Sequence, residues 1–185
     1  MRAIGFRVKS GFAIAVVVDG PAGSPTAVAR HVVELCDPEV KETRQPYHSA
    51  RGEAEEDQKK IAKRTALIEK AAAQSIKALL AASPGATRAS LVVGSVIDPA
   101  KVGNQHIRAH ASEGRLFRTV LERALAARGV ACSVVVDKHL AEAARKRLRR
   151  TDAEIRKTLA AFGETVGSPW RGEEKAAATA AWMAL

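Results

Sequence analysis

The alternation of apolar and polar positions is most regular at the start of the chain. Ile4, Phe6 and Val8 alternate with Ala3, Gly5 and Arg7. After Lys9-Ser10-Gly11, Phe12, Ile14, Val16 and Val18 alternate with Ala13, Ala15 and Val17. A period of two, rich in β-branched residues and broken at a glycine, predicts a hairpin over residues 2–19. Both faces are mostly apolar, which places the hairpin mid-sheet with cover on each side. Thr26 to Cys36 predicts a third strand whose mixed pattern, with Arg30, His31 and Glu34 among valines, suits an edge. Asp37 to Ser49, with its two prolines, is a loop long enough to carry function.

The period then lengthens. Glu53 to Ala82 predicts a long helix, acidic in its first turns, with the stripe Ile61, Thr65, Ile68, Ala72, Ile76 and Leu79. Ser83-Pro84-Gly85 stops it. Ala89 to Ile97 is a short, continuously apolar run, the pattern of a buried parallel strand. Asn104 caps a helix that runs to Arg128 along Ile107, Ala111, Gly114, Leu121 and Leu125, and Gly129 ends it. Val130 to Val136 is a fifth strand, and a helix from about Lys138 to Arg150 follows. Thr151 and Glu154 form a capping box for a helix over Asp152–Phe162. An Ala-rich helix from Arg171 to Leu185 is small enough in its side chains to pack very close to a sheet. A three-strand meander followed by two right-handed crossovers predicts an α/β fold with a five-stranded mixed sheet in the order 3-2-1-4-5 and helices on both faces. At 185 residues, one domain spanning 1–185 is expected.

Composition narrows the functional classes. No run approaches the ~18 apolar residues of a membrane span. Phe12 to Val18 alternates, is β-branched rather than Leu-rich and ends abruptly at Asp19 with no clean small-x-small cleavage site after it, unlike a secretory signal. Cys36 and Cys132 are the only cysteines and lie far apart, which fits a reducing, cytoplasmic setting. The net charge is +10 and is uneven: residues 1–100 hold 14 Lys/Arg against 11 Asp/Glu, and residues 101–185 hold 16 against 9. Such a surplus attracts polyanions. Arg145, Lys146, Arg147, Arg149 and Arg150 are its densest cluster, wrapping most of a helix. They are candidates for sequence-independent contact with the DNA or RNA backbone, against the plainer reading of a solvated helix partly neutralised by Glu142 and Asp152. Trp170 is the aromatic near this cluster that could stack on a base.

Other residues carry candidate chemistry. Arg7 and Lys9 lie two apart on a central strand and so share a face, where they form either an anion pocket or ion pairs with Asp98, Asp137 or Glu174. Asp98 and Asp137 follow the fourth and fifth strands, at the carboxyl ends where α/β sheets bind ligands. With Glu113 and Glu174 they are the candidates for a catalytic metal site, although capping explains Asp137 and a turn before Pro99 explains Asp98. His106, His110 and Glu113 are spaced i, i+4, i+7, a spacing open to metal ligands. The series continues into Phe117 and Val120, so the expectation is two histidines at the rim of a core, with no metal.

Taken together, the topology resembles the ribonuclease H-like fold, and several details resemble its Holliday-junction resolvase branch. Ala3-Ile4-Gly5-Phe6-Arg7 is similar to that family's first-strand motif, apolar-Gly-apolar-Asp. Leu91-Val92-Val93-Gly94-Ser95 is similar to its fourth strand, which ends at a Glu. The helix pair Leu140 to Phe162, followed by the small-residue helix Glu173 to Leu185, resembles its C-terminal part. The resemblance implies carboxylates on the first strand, the fourth strand and the last helix holding two Mg²⁺ ions that activate water for phosphodiester cleavage. This chain departs from it: Arg7 stands at the Asp position, Ser95 at the Glu position, and the last helix offers only Glu173 and Glu174, at its start. The leading expectation is therefore a non-catalytic nucleic-acid-binding or adaptor module that needs no cofactor. The alternatives are a nuclease using Mg²⁺ or Mn²⁺ on relocated carboxylates, and a structural or protein-interaction domain, with an edge strand or the Ala-rich last helix as a route to a homodimer.

Overall fold

The hairpin forms as the alternation requires. In the computed structural model, which describes residues 1–49 and 52–185, β1 (Arg2–Val8) pairs antiparallel with β2 (Phe12–Asp19), and Gly11 takes the positive φ that closes the turn. β3 (Thr26–Glu34) lies antiparallel on the far side of β2 as an edge. The chain then crosses over twice, through α1 (Gln58–Ala82) into β4 (Ala86–Val93) and through α2 (Gln105–Ala126) into β5 (Ala131–Val136). β4 joins β1 in parallel and β5 joins β4 in parallel, so the sheet order is β3-β2-β1-β4-β5. This is the predicted topology, and it brings the carboxyl ends of β1, β4 and β5 to one end of the sheet.

Two cores follow from the period of two. One set of strand side chains, including Ile4, Phe6, Ala15, Leu91 and Val93, packs under α1 and α2 with Ile68, Ile76, Phe117 and Leu121. The opposite set, including Ala3, Val16 and Val18, packs under α3 (Leu140–Leu148), α4 (Asp152–Val166) and α5 (Gly172–Ala184). The backbone of α5 lies directly on β1, and Gly5 makes this contact sterically feasible. A Cβ at that position would overlap the carbonyl of Ala177 and the amide of Ala181. Ala177, Ala178, Ala180, Ala181 and Trp182 are all buried in consequence, so the apolar surface of α5 is spent on the sheet. Of the two expected routes to a homodimer, the Ala-rich helix is covered, while the sheet keeps two edge strands, β3 and β5. No helix among the described residues is long and apolar enough to cross a membrane.

Element boundaries differ from expectation where side chains compete for caps. The first long helix starts at Gln58, because Asp57 accepts hydrogen bonds from the amides of Lys59 and Lys60. Glu53, Glu55 and Glu56 therefore precede the helix, and Glu55 instead pairs with Arg64 at 3.1 Å. α2 begins at its expected cap, Asn104, but its buried stripe is Ala109, Glu113, Phe117, Val120, Leu121, Ala124 and Leu125, and Ile107 is exposed. β4 ends at Val93, leaving Val96 and Ile97 exposed. α3 ends early, at an Arg149 in the left-handed conformation (φ 53°), and the Thr151–Glu154 capping box then opens α4.

The closeness of α5 to β1 generates a stability prediction. Gly5→Ala should cost about 3 kcal/mol or more, because both neighbours of the new methyl are backbone atoms and cannot rotate away. Urea unfolding should show a lowered midpoint, and Gly114→Ala, which meets open space within a helix, should not lower it.

Candidate functional site

The carboxyl end of the sheet is where this architecture binds ligands, and charge has been placed there deliberately. Arg7 is the penultimate residue of β1, paired in register with Val92 of β4, which in turn faces Val135 of β5. Its side chain belongs to the α5 side of the sheet, with Ala3 and Gly5. An arginine does not lose its proton, so a guanidinium held between a covered strand and a helix requires an anion. Asp137, immediately after β5, supplies it: its Oδ2 accepts from Nη2 of Arg7 at 2.8 Å. The Arg7 side chain is only 14% exposed, and its Nη1 is buried without a partner. Two further pairs continue the arrangement. Lys9 Nζ lies 3.4 Å from Glu173, and Arg30 Nη1 lies 3.8 Å from the buried Glu174. Glu174 also accepts from the backbone N–H of Arg171, closing the first turn of α5.

The four candidate carboxylates are thus not assembled around a common point. Asp137 serves Arg7, and Glu174 serves the α5 N-terminus and Arg30. Asp98 accepts from the N–H of Ala100 and sits 3.5 Å from Arg115. Glu113 lies on the other side of the sheet, within α2, where it accepts from His48. Ser95 is exposed beyond the end of β4. A pair of Mg²⁺ ions needs several anionic oxygens facing one space. Here that space begins with a guanidinium already neutralised by its own aspartate, so the residues present do not fit the two-metal group. Burial pushes the Cys132 thiol up to about 12 and raises that of Cys36.

The basic cluster divides on folding. Arg145 pairs with Asp152 at 3.0 Å, Arg147 donates to the carbonyl of Met183, and Arg150 donates to the carbonyl of Gly23 while lying 5.9 Å from the Trp182 ring. Lys146 and Arg149 are exposed and have no anionic partner among the described residues. Arg150 also lies 3.6 Å from Glu154, whereas the hydrogen bond of Arg147 to a carbonyl leaves its charge uncancelled. A cleft of about 440 Å³ opens here, lined by Ala22, Gly23, Arg147, Arg149 and Arg150. Trp170 is not free to stack, since it packs on Gly163 and donates to the carbonyl of Leu159 at 2.8 Å.

One relevant side chain escaped the sequence reading. His48, at the end of the long loop after β3, reaches His106, His110 and Glu113. Its only advance signal was the length of that loop.

The sheet order, the two crossovers and the three helices closing the far face together define the ribonuclease H-like fold. Among solved structures the chain is similar to RuvC of Thermus thermophilus, with 11% identity and a TM-score of 0.56 over 99% of this chain and 92% of that one. It is equally similar to T. thermophilus RuvC in complex with a Holliday junction substrate, at 11% identity and a TM-score of 0.56 over 99% and 91%. No protein-family model and no curated protein matches the sequence.

The ion pairs set a pH dependence. The Arg2 guanidinium, followed by the Gly20 N–H, holds Asp19 below its ordinary 3.8. The backbone N–H and hydroxyl of Thr151 hold Glu154 below 4.5, and Glu173 is held below 4.5 by its own backbone N–H and then by Lys9. A carboxyl whose value is depressed in the folded state adds stability above its unfolded value and loses it as pH falls through the folded one. Urea midpoints should therefore decline as pH drops through and below about 4, and Arg2→Met should make the decline shallower.

Proposed function

We propose that this chain is a non-catalytic nucleic-acid-binding module, an adaptor built on the ribonuclease H-like fold. The observation that carries the reading is the 2.8 Å ion pair between Arg7 and Asp137 at the carboxyl end of the central strands. The family that the sequence resembles uses anionic ligands there, and a fixed cation opposes the binding of Mg²⁺ at the same point. Arg7 and Lys9 spend their charge on Asp137 and Glu173. Contact with a polyanion accordingly falls to the other candidate surface, with Lys146 and Arg149 as the free cations and Arg145, Arg147 and Arg150 around them.

Three things support contact with nucleic acid on that surface. The net charge is +10. Lys146 and Arg149 have no anionic partner among the described residues, and Arg149 lines a cleft together with Arg147, Arg150 and Trp182. The solved T. thermophilus RuvC of the same fold is in complex with a Holliday junction substrate. Contacts of this kind go to phosphates, so they favour no base sequence and weaken with salt.

Fluorescence anisotropy with single-stranded, duplex and four-way-junction DNA, and with RNA, at about 50 and 200 mM salt tests the reading. Affinity should fall roughly tenfold or more over that range, as two or more released counterions require. The double variant Lys146→Ala, Arg149→Ala should weaken every bound substrate alike and flatten the salt dependence. Absence of binding to any polynucleotide at low salt would overturn the reading, and so would an unchanged salt slope in the double variant.

A further inference from the structure

On the opposite side of the sheet from Arg7, three imidazoles converge on a buried carboxylate. His48 comes from the loop between β3 and α1; His106 and His110 come from successive turns at the start of α2. Their ring centroids lie 5.1, 4.5 and 4.6 Å apart in the three pairings. One nitrogen from each ring falls within 4.8 Å of the others, the only such grouping of His, Cys, Asp and Glu among the described residues.

Glu113 decides which nitrogens these are. An ionised carboxylate can only accept, so Nδ1 of His48, at 2.7 Å from Oε1, is its N–H donor. Nδ1 of His110 lies 3.5 Å from the other oxygen, Oε2. One glutamate, 1% exposed, thus faces two histidines, and its hydrogen bond to His48 leaves Nε2 of that ring as a lone pair. Nε2 of His110 stands 3.2 Å from Nε2 of His106. Tetrahedral ligation at about 2.0–2.1 Å per nitrogen sets neighbouring donors about 3.3 Å apart. Nε2 of His48 is buried with no hydrogen-bond partner, as is Oε2 of Glu113. A buried acceptor left empty is costly, and a buried carboxylate needs positive charge nearby. No Lys or Arg pairs with Glu113 among the described residues. A divalent cation on the three Nε2 atoms meets both needs.

The surroundings are built to hold this geometry. Arg64 donates to the carbonyls of Pro46 and His48 and pairs with Glu55, fixing the loop that carries His48. Asn104 caps α2 just before His106. Beside the cluster a cleft of about 700 Å³, lined by Glu53, Glu56, Gln105 and His106 among others, opens to solvent and adds negative potential. His106 and His110 are themselves exposed, so an ion has a route in.

We infer that His48, His106 and His110 form a site for a borderline divalent transition metal of the Zn²⁺ class, with Glu113 as the residue that orients His48. Imidazole donors select such metals over Mg²⁺ and Ca²⁺. Three protein ligands with solvent on one side leave the fourth position to water. The i, i+4 pair on α2 was visible in sequence and by itself favoured histidines at the rim of a core. The third imidazole and the orphaned Nε2 reverse that weighing. The inference uses none of the residues of the nucleic-acid reading, so either can fail alone.

The test uses the tag-free, chelator-stripped full chain. Isothermal titration with Zn²⁺ should give one ion per chain, and Co²⁺ should produce the visible absorption of a four-coordinate, nitrogen-rich centre. His106→Ala and His110→Ala, both on exposed positions, should abolish the Co²⁺ spectrum while the circular dichroism stays unchanged. Glu113→Gln should weaken binding about 10- to 100-fold, as loss of a ligand-orienting carboxylate does. His139→Ala, on α3's approach and outside the cluster, should change nothing. No stoichiometric binding, or binding that survives in the His106→Ala, His110→Ala double variant, overturns the inference.

Discussion

A guanidinium fixed at the end of the central strand is the constraint from which the rest of this molecule's chemistry follows. β1 is covered on both sides, its α5 face so closely that only a glycine fits at position 5. The next residue on that face is Arg7, whose charge cannot be removed by deprotonation. It must be met by an anion, and the parallel pairing of β1, β4 and β5 delivers Asp137 to it. The resemblance to the Holliday-junction resolvases implies carboxylates around a shared ion at this end of the sheet. In this chain each carboxylate there is taken by a cation of its own: Asp137 by Arg7, Glu173 by Lys9, Glu174 by Arg30. Each of these carboxylates thus has a cationic partner within 4 Å.

The sheet also separates two unlike poles. On the α5 side lie the ion pairs and, along α3, the cations that folding does not neutralise. On the α1–α2 side lies a carboxylate buried against imidazoles. Paired carboxylates stand on one side and a set of nitrogen donors on the other. Because no side chain belongs to both, the proposed binding of a polyanion and the inferred binding of a metal can be tested separately.

Much of the fold was legible in the order of the residues, because period-two and period-3.6 patterns are local and the crossover rule then leaves few topologies. The central hairpin, the edge character of β3, the Asn104 cap and the Thr151–Glu154 box all report on neighbours within a few positions. What was not legible depended on contacts across the molecule. The acidic run at residues 53–57 looked like the start of a helix, but Asp57 makes the better cap and Glu55 is drawn to Arg64. The phase of α2 could not be set from Ile107, since the core is reached by Ala109 and Glu113. The five clustered cations looked equivalent, but the fold sets Arg145 against Asp152, Arg147 against the carbonyl of Met183, and Arg150 against Glu154 and the carbonyl of Gly23. His48 is far from His106 in sequence, and no periodicity links a loop residue to a helix face.

The central claim concerns one place, the carboxyl end of β1, and can be addressed by recording amide spectra of the full chain during titration with Mn²⁺. Paramagnetic broadening reports proximity to the bound ion residue by residue. The account predicts that Arg7, Val92 and Asp137 keep sharp resonances and that four-way-junction DNA stays intact at the same Mn²⁺ concentration. Selective broadening at those three residues, accompanied by cleavage of the junction, would contradict it.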